Sequence, residues 1–417
     1  MSVLPVALTW SIGGLLAALL LPRLRHRRRL AALVPLAAAV AAFLTLGGGA
    51  DLAAVAAPGG LLLGRPAGGL VLVCALSTTV CMVLSPPPDG GEILVVGACG
   101  ALSAVALATG SPLVWGVCFV GGMALFGVRW VAASPARSTL AAARVGTLSA
   151  AVLLAAAPFL PVDIATVLPR AHLAGALLAA GVAAGFGLLP LGGWVTGGAR
   201  LVRGAALAPW ALLLLPALLL STQPLQNVLP TDARTTVGFL LLPAGAFSAA
   251  WSAVQGVLAG RRDRERYPRV LLADLGLVAM GLATPQPGVR IGSLLLLLTH
   301  LCTGPLLLQE ASPALVRQRR LAWLALSGLP PTPAFWGRFA TIAGLTAAFG
   351  GALLTVTIPV TAALLLVAFR AATAASSARP AAVAGVATRA AAWTVPLAAL
   401  TVGLLPDSTL RAFLGVG

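Results

Sequence analysis

Ser327-Gly328-Leu329-Pro330-Pro331-Thr332-Pro333-Ala334-Phe335-Trp336-Gly337-Arg338 interrupts an apolar run over residues 321–347. Proline removes a backbone donor and clashes with the preceding turn, while glycine tolerates backbone that other residues avoid. A helix entering this stretch must unwind and start again. A second interruption, Gly185-Phe186-Gly187-Leu188-Leu189-Pro190-Leu191-Gly192-Gly193-Trp194, falls in the run over 171–194. The breaking elements are Gly185, Pro190 and Gly192 in the one, and Pro330, Pro331 and Pro333 in the other.

The chain around these breaks is apolar throughout. Of 417 residues, 59% are hydrophobic and 9% charged, with a mean hydropathy of +1.01. A soluble domain carries about 25% charged residues. Runs long enough to cross a ~30 Å hydrocarbon core fall near 3–21, 30–48, 69–85, 92–109, 112–130, 141–160, 171–194, 204–222, 236–260, 270–285, 290–309, 321–347, 348–375 and 388–405. Lipid cannot satisfy backbone polar groups, and the alternation of barrel strands is absent. The expectation is an all-α polytopic membrane protein of about fourteen transmembrane helices, a single transmembrane domain over 1–417. The first run lacks a small-residue cleavage site after a basic start and reads as a retained helix.

The net charge of +17 comes from 27 basic residues, all arginine, against 10 acids. They cluster between apolar runs, as topology signals do, and not along a face that would bind nucleic acid. With the N-terminus outside, loops on the cytoplasmic side hold twenty-one arginines and the opposite loops five; Arg338, inside a run, completes the 27. This bias predicts both termini outside, and the chain is expected in a bacterial inner (plasma) membrane. The five cysteines lie in apolar runs without CxxC spacing and read as packing residues. No P-loop, dinucleotide fingerprint, HExxH or paired intramembrane histidine is present. The sequence therefore predicts no cofactor, no metal and no catalytic chemistry of its own.

Unwound backbone survives in a membrane only where protein buries it or it lines a wet cavity. Two interrupted runs in corresponding places suit a repeat transporter with sites at the breaks; kinked packing helices are the alternative. Three ionisable residues lie within nearby runs: Asp274, His300 and Arg338. A charge at the bilayer centre costs roughly 2.5–3.5 kcal/mol, so each must face protein or water. Asp274, read as close to the cytoplasmic end of its run, can pair with Arg338. An arginine holds its proton and makes a poor carrier, whereas histidine's ordinary range lies near neutrality. The three are candidates for an ion path. Against that stand a structural role or snorkelling for Arg338, and a hydrogen-bonded core role for His300. Arg261-Arg262-Asp263-Arg264-Glu265-Arg266 reads as a solvated cytoplasmic loop, with a grip on anionic lipid or a partner subunit as the alternative.

SGLPPTPAFWGRF, Ser327–Phe339, resembles the GLPP-T-x-GFWGK stretch in the twelfth helix of antiporter-like proton-channel subunits. These are the L, M and N subunits of NADH-quinone oxidoreductase (complex I), with Mrp-type antiporter and membrane-hydrogenase relatives. Pro190-Leu191-Gly192-Gly193-Trp194 resembles the PLHFW of the broken seventh helix, and Leu298-Thr299-His300 the LTH of the eleventh. In length the chain is most similar to subunit N.

The resemblance implies inverted repeats over 92–222 (helices 4–8) and 236–375 (helices 9–13), each with one broken helix. It implies a membrane subunit of a complex I-like assembly, part of a proton-translocating oxidoreductase, moving protons or cations through its second half. Partners would be other membrane subunits and the lipid bilayer, with NADH, flavin and quinone chemistry left to those partners. Two alternatives stand beside it: a non-conducting structural subunit, and an inorganic-carbon or other small-solute transporter subunit. The departures concentrate in the first repeat. Helix 5, Pro112–Trp130, has no acid; the helix-7 lysine position falls on Gly185 and a nearby histidine position on Gly192. Helix 8, Gly204–Thr222, carries no ionisable group, and the helix-12 cation is Arg338. The first repeat is degenerate as an ion path.

Overall fold

Long apolar runs become helices in the computed structural model. It describes residues 4–20, 27–46, 65–84, 89–108, 112–133, 168–190, 195–197, 230–260, 263–308, 315–376 and 385–404. In chain order the helices are α1 (Leu4–Leu20), α2 (Arg27–Leu46), α3 (Arg65–Leu84), α4 (Gly90–Ala108), α5 (Pro112–Ala133) and α6 (Leu168–Gly185). There follow α7 (Thr231–Leu258), α8 (Asp263–Gly281), α9 (Pro287–Leu307), α10 (Val316–Ser327), α11 (Pro333–Phe349), α12 (Leu354–Ser376) and α13 (Val386–Leu404). The described residues contain no strand. The runs at 141–160 and 204–222, Gly192, and both termini lie outside them.

Among the described residues, four elements are long and apolar enough by themselves to cross a membrane: Gly90–Ala108, Thr231–Leu258, Pro287–Leu307 and Gly351–Ala374. Large apolar side chains stand outward along the helices, among them Leu8, Ile12 and Leu19 on α1 and Phe239 and Phe247 on α7. An outward apolar surface on this scale suits lipid, not water. The chain is a multi-pass membrane protein.

At the centre is α9. Of its apolar stretch 83% is buried, against 28% for Gly351–Ala374. It packs against α3, α8, α10, α11 and α13. Glycines set the closest crossings, because in membranes helices associate through close packing more than through burial from water. A Cβ on Gly292 of α9 would stand 2.5 Å from the Gly337 carbonyl of α11. A Cβ on Gly245 of α7 would stand equally close to the Gly276 carbonyl of α8. These two contacts fix α8 and α11 at the levels of Asp274 and Arg338, two residues and one residue away.

Helix α6 ends at the first interruption and α10 at the second. The first closes α6 with a left-handed Gly187 (φ 65°), whose N–H donates to Ala184 O while Leu188 N–H donates to Ala183 O. This pair of bonds is a Schellman ending. Leu189 N–H then donates to Ser248 Oγ of α7 at 2.8 Å, which satisfies a donor that the ended helix leaves over. The second break follows α10, which ends on left-handed Gly328 (φ 79°, ψ 23°). Ser327 Oγ accepts from Leu329 N–H, and Thr332 N–H donates to Leu329 O. Helix α11 restarts with Thr332 as N-cap, its Oγ1 accepting from Phe335 N–H, and Pro333 in the first turn. The X–Pro bonds Leu189–Pro190 and Pro330–Pro331 are cis.

Candidate functional site

The second break brings a charge cluster together. Side chains on a helix lean toward its N-terminus, so Arg338, in the second turn of α11, reaches back to the break. Its Nη1 lies 2.6 Å from the position that a Cβ on Gly328 would take. The guanidinium thus sits against the end of α10, where the macrodipole is negative. From α8, Asp274 meets it side-on: Arg338 Nε donates to Oδ1 at 2.9 Å and Nη2 donates to Oδ2 at 2.9 Å. His300 of α9 completes the group, with Nε2 2.9 Å from the same Oδ2. Arg338 and Asp274 are each 1% exposed, and His300 is 6% exposed.

The proton positions follow from the partners. Asp274 Oδ2 is an acceptor, so His300 Nε2 is assigned as the donor, and Nδ1 holds a lone pair when the ring is neutral. Among the described residues, His300 Nδ1 and Arg338 Nη1 have no hydrogen-bond partner. Both are buried polar atoms suited to ordered water. Tyr267 of α8 supports the histidine. Its hydroxyl donates to His300 O at 3.2 Å, and its ring lies edge-on to the imidazole with centroids 5.7 Å apart. Ser77 of α3 donates to Leu301 O at 2.7 Å on the far side of α9.

Asp274, His300 and Arg338 are therefore one site. Gly185 closes α6 and Pro190 stands in the first break; Pro330 and Pro331 form the second break and Pro333 opens α11. Asp274 lies farther from the start of its helix than from the start of its apolar run. Helix α8 begins at Asp263, before the apolar stretch, because Asp263 and Glu265 suit the positive end of a helix. Asp274 is then the twelfth of 19 residues (274 − 263 + 1 = 12), about 17 Å along the helix. For the described residues of the arginine-rich segment, the solvated-loop reading fails for the same reason. Residues 263–266 are the first turn of α8, Arg266 is buried, and Asp263 is bonded through Oδ2 to Arg319 Nε of α10 at 2.9 Å. Tyr267 and Gly328 also went unnoticed: the former lies in the basic segment, and the latter read only as a break-former.

Chemically, the cluster offers a fixed cation, a carboxylate bonded at both oxygens and a histidine with one free nitrogen. Among the described residues, no group of three or more His, Cys, Asp or Glu is arranged to hold a metal.

Solved structures share this fold. The chain is similar to a chain of respiratory complex I from Thermus thermophilus with bound aureothin, at a TM-score of 0.76 and 19% identity, covering 97% of this chain and 98% of that one. It is similar to a chain of the Mrp complex from Dietzia sp. DQ12-45-1b, at a TM-score of 0.80 and 15% identity, covering 98% of this chain and 51% of the other. It is also similar to a chain of the membrane-bound sulfane sulfur reductase, an archaeal respiratory membrane complex, at a TM-score of 0.79 and 12% identity, covering 98% and 96%. No family profile and no curated protein matches the sequence. At these identities the likeness is one of fold. It is the fold expected from the resemblance of SGLPPTPAFWGRF to antiporter-like subunits.

Proposed function

We propose that this chain is an antiporter-like membrane subunit of a complex I-like or Mrp-type assembly, and that it moves a cation through its second half. The observation that carries this is the buried Asp274–Arg338–His300 cluster placed directly against a helix break. Burying two charges and a histidine in an apolar bundle is costly. A purely structural contact between α8 and α11 is made more cheaply by apolar side chains. In this reading the full chain has fourteen spans, in inverted repeats over 92–222 and 236–375. It lies in a bacterial inner membrane with both termini outside, beside other membrane subunits that carry the redox or coupling chemistry.

A second reading, a non-conducting structural subunit, has its own support. Both oxygens of Asp274 are already bonded, α5 contains no acid, and Gly185 stands where antiporter-like subunits have a lysine. Proton flux separates the two. The full chain is reconstituted in liposomes, a potassium diffusion potential is imposed with valinomycin, and internal pH is followed with a trapped dye. The conducting reading expects acidification or alkalinisation well above protein-free liposomes. Flux equal to theirs, for the chain alone and for its native assembly, would leave the structural reading in its place.

A further inference from the structure

Polar side chains of α7 gather beside the first break. Ser248, Ser252 and Gln255 stand at i, i+4 and i+7, on one face of the helix. Ser248 Oγ accepts from Leu189 N–H at 2.8 Å, so this face looks to the chain that leaves α6. Gly175 lies against Ala233 and Thr236, and Leu189 against Ser248, so α6 and α7 run parallel. Thr235 and Thr236 donate to carbonyls one turn back on α7. Ser252 makes no such bond. It is 1% exposed, and its Oγ has no hydrogen-bond partner among the described residues; nor has the buried Oε1 of Gln255. Side chains lean toward the helix N-terminus, so Gln255 reaches back toward Ser252.

The break supplies further oxygens. Phe186 N–H donates to Val182 O, Gly187 N–H to Ala184 O and Leu188 N–H to Ala183 O. The carbonyls of Gly185 and Phe186, both buried residues, accept no backbone hydrogen bond among the described residues. They point along the helix toward its C-terminus, where the macrodipole is negative. In this parallel pair that is the direction from Ser248 to Ser252. No charged residue lies on α7 between Thr235 and Gly260, or on α6 beyond His172, so every one of these oxygens is neutral. Buried acceptors without a donor call for water or an ion, and unwound backbone at a half-helix C-terminus is suited to sodium. A divalent cation binds through carboxylates, of which this face has none. We infer that the first break binds a monovalent alkali-metal cation through Ser252 Oγ, Gln255 Oε1 and the carbonyls that end α6, with water completing the shell. The cation is resident: it ties the end of α6 to α7 and offsets the helix dipole, whether or not the second half conducts.

The test takes the purified full chain in detergent and exchanges sodium chloride for N-methyl-D-glucamine chloride at constant ionic strength, which holds screening fixed. Equilibrium binding of radiolabelled sodium and the thermal midpoint are both read. Wild type is expected to bind sodium saturably, and its midpoint to rise with sodium, because a ligand held only by the folded state stabilises it. Ser252→Ala and Gln255→Leu are each expected to weaken binding about tenfold or more. Gln255→Glu adds a negative charge to the ligand set and is expected to tighten binding about tenfold, which a purely structural glutamine would not do. Absence of saturable binding and of any midpoint shift in wild type would mean that these oxygens hold water only, and would overturn the site. Undiminished binding by both folded variants that remove a ligand would place the cation elsewhere and overturn the assignment. Neither result bears on the flux expected through Asp274.

Discussion

Replacing Asp274 with alanine while Arg338 remains strands a guanidinium that is 1% exposed. It loses both hydrogen bonds that it makes to described residues, since Nη1 has none. Opposite charges about 4 Å apart attract by ~4 kcal/mol at an effective dielectric of about 20. Breaking one partner of a buried pair costs about 3–5 kcal/mol, while replacing both with apolar groups is often close to neutral. His300 Nε2 also loses its acceptor in either case, at about 1–3 kcal/mol, so the double variant is not free of cost. The expectation is that Asp274→Ala costs about 5 kcal/mol, Arg338→Met a similar amount, and the pair together only about 1–3 kcal/mol, the cost of the lost His300 acceptor, far below their sum. Unfolding of the purified chain by SDS in mixed micelles, followed by fluorescence of its nine tryptophans, gives all three values. Costs that add to within ~0.5 kcal/mol would mean two independent sites, and the geometry derived for Asp274 would be wrong.

Three other substitutions test the supports of the cluster. Gly328→Ala places a Cβ on a residue at φ 79° and within 2.6 Å of Arg338 Nη1; it should cost about 1–2 kcal/mol from the backbone alone, with part of any excess recovered in a Gly328→Ala/Arg338→Lys double variant, measured by the same titration. Gly292→Val should force α9 from α11 at a cost of about 1–3 kcal/mol or more, whereas Gly288→Ala, whose Cβ meets only Ala340 O at 3.6 Å, should be close to neutral; equal effects would refute the close crossing. Tyr267→Phe keeps the ring beside His300 and removes one hydrogen bond, so thermal unfolding in detergent should show a loss of about 1 kcal/mol, and a far larger loss would mean that the hydroxyl does more than brace the histidine.

The breaks were legible because Gly-Leu-Pro-Pro-Thr-Pro leaves a helix no alternative, and the pairing of Asp274 with Arg338 because two opposite charges in apolar runs have few other partners. The three-way geometry was not legible. Sequence gives no distance between runs, so nothing placed His300 Nε2 on the same oxygen as Arg338 Nη2. Gly245, Gly276, Gly292 and Gly337 carried no signal either, since a glycine in an apolar run reads alike whether it faces lipid or another backbone. The segment before Asp274 misled outright. Its arginines looked solvated, yet Arg266 is buried, Asp263 is bonded to Arg319 of α10, and Tyr267 is buried beside His300, a tertiary arrangement that outweighs local polarity.

Asp274→Asn offers the sharpest check, because it keeps the side-chain shape and removes the charge that organises Arg338 and His300. In the liposome assay under an imposed potential, proton flux through the full chain should fall about tenfold or more, to the level of protein-free liposomes. Flux equal to wild type, from a variant that is folded and inserted, would place ion movement elsewhere in the molecule.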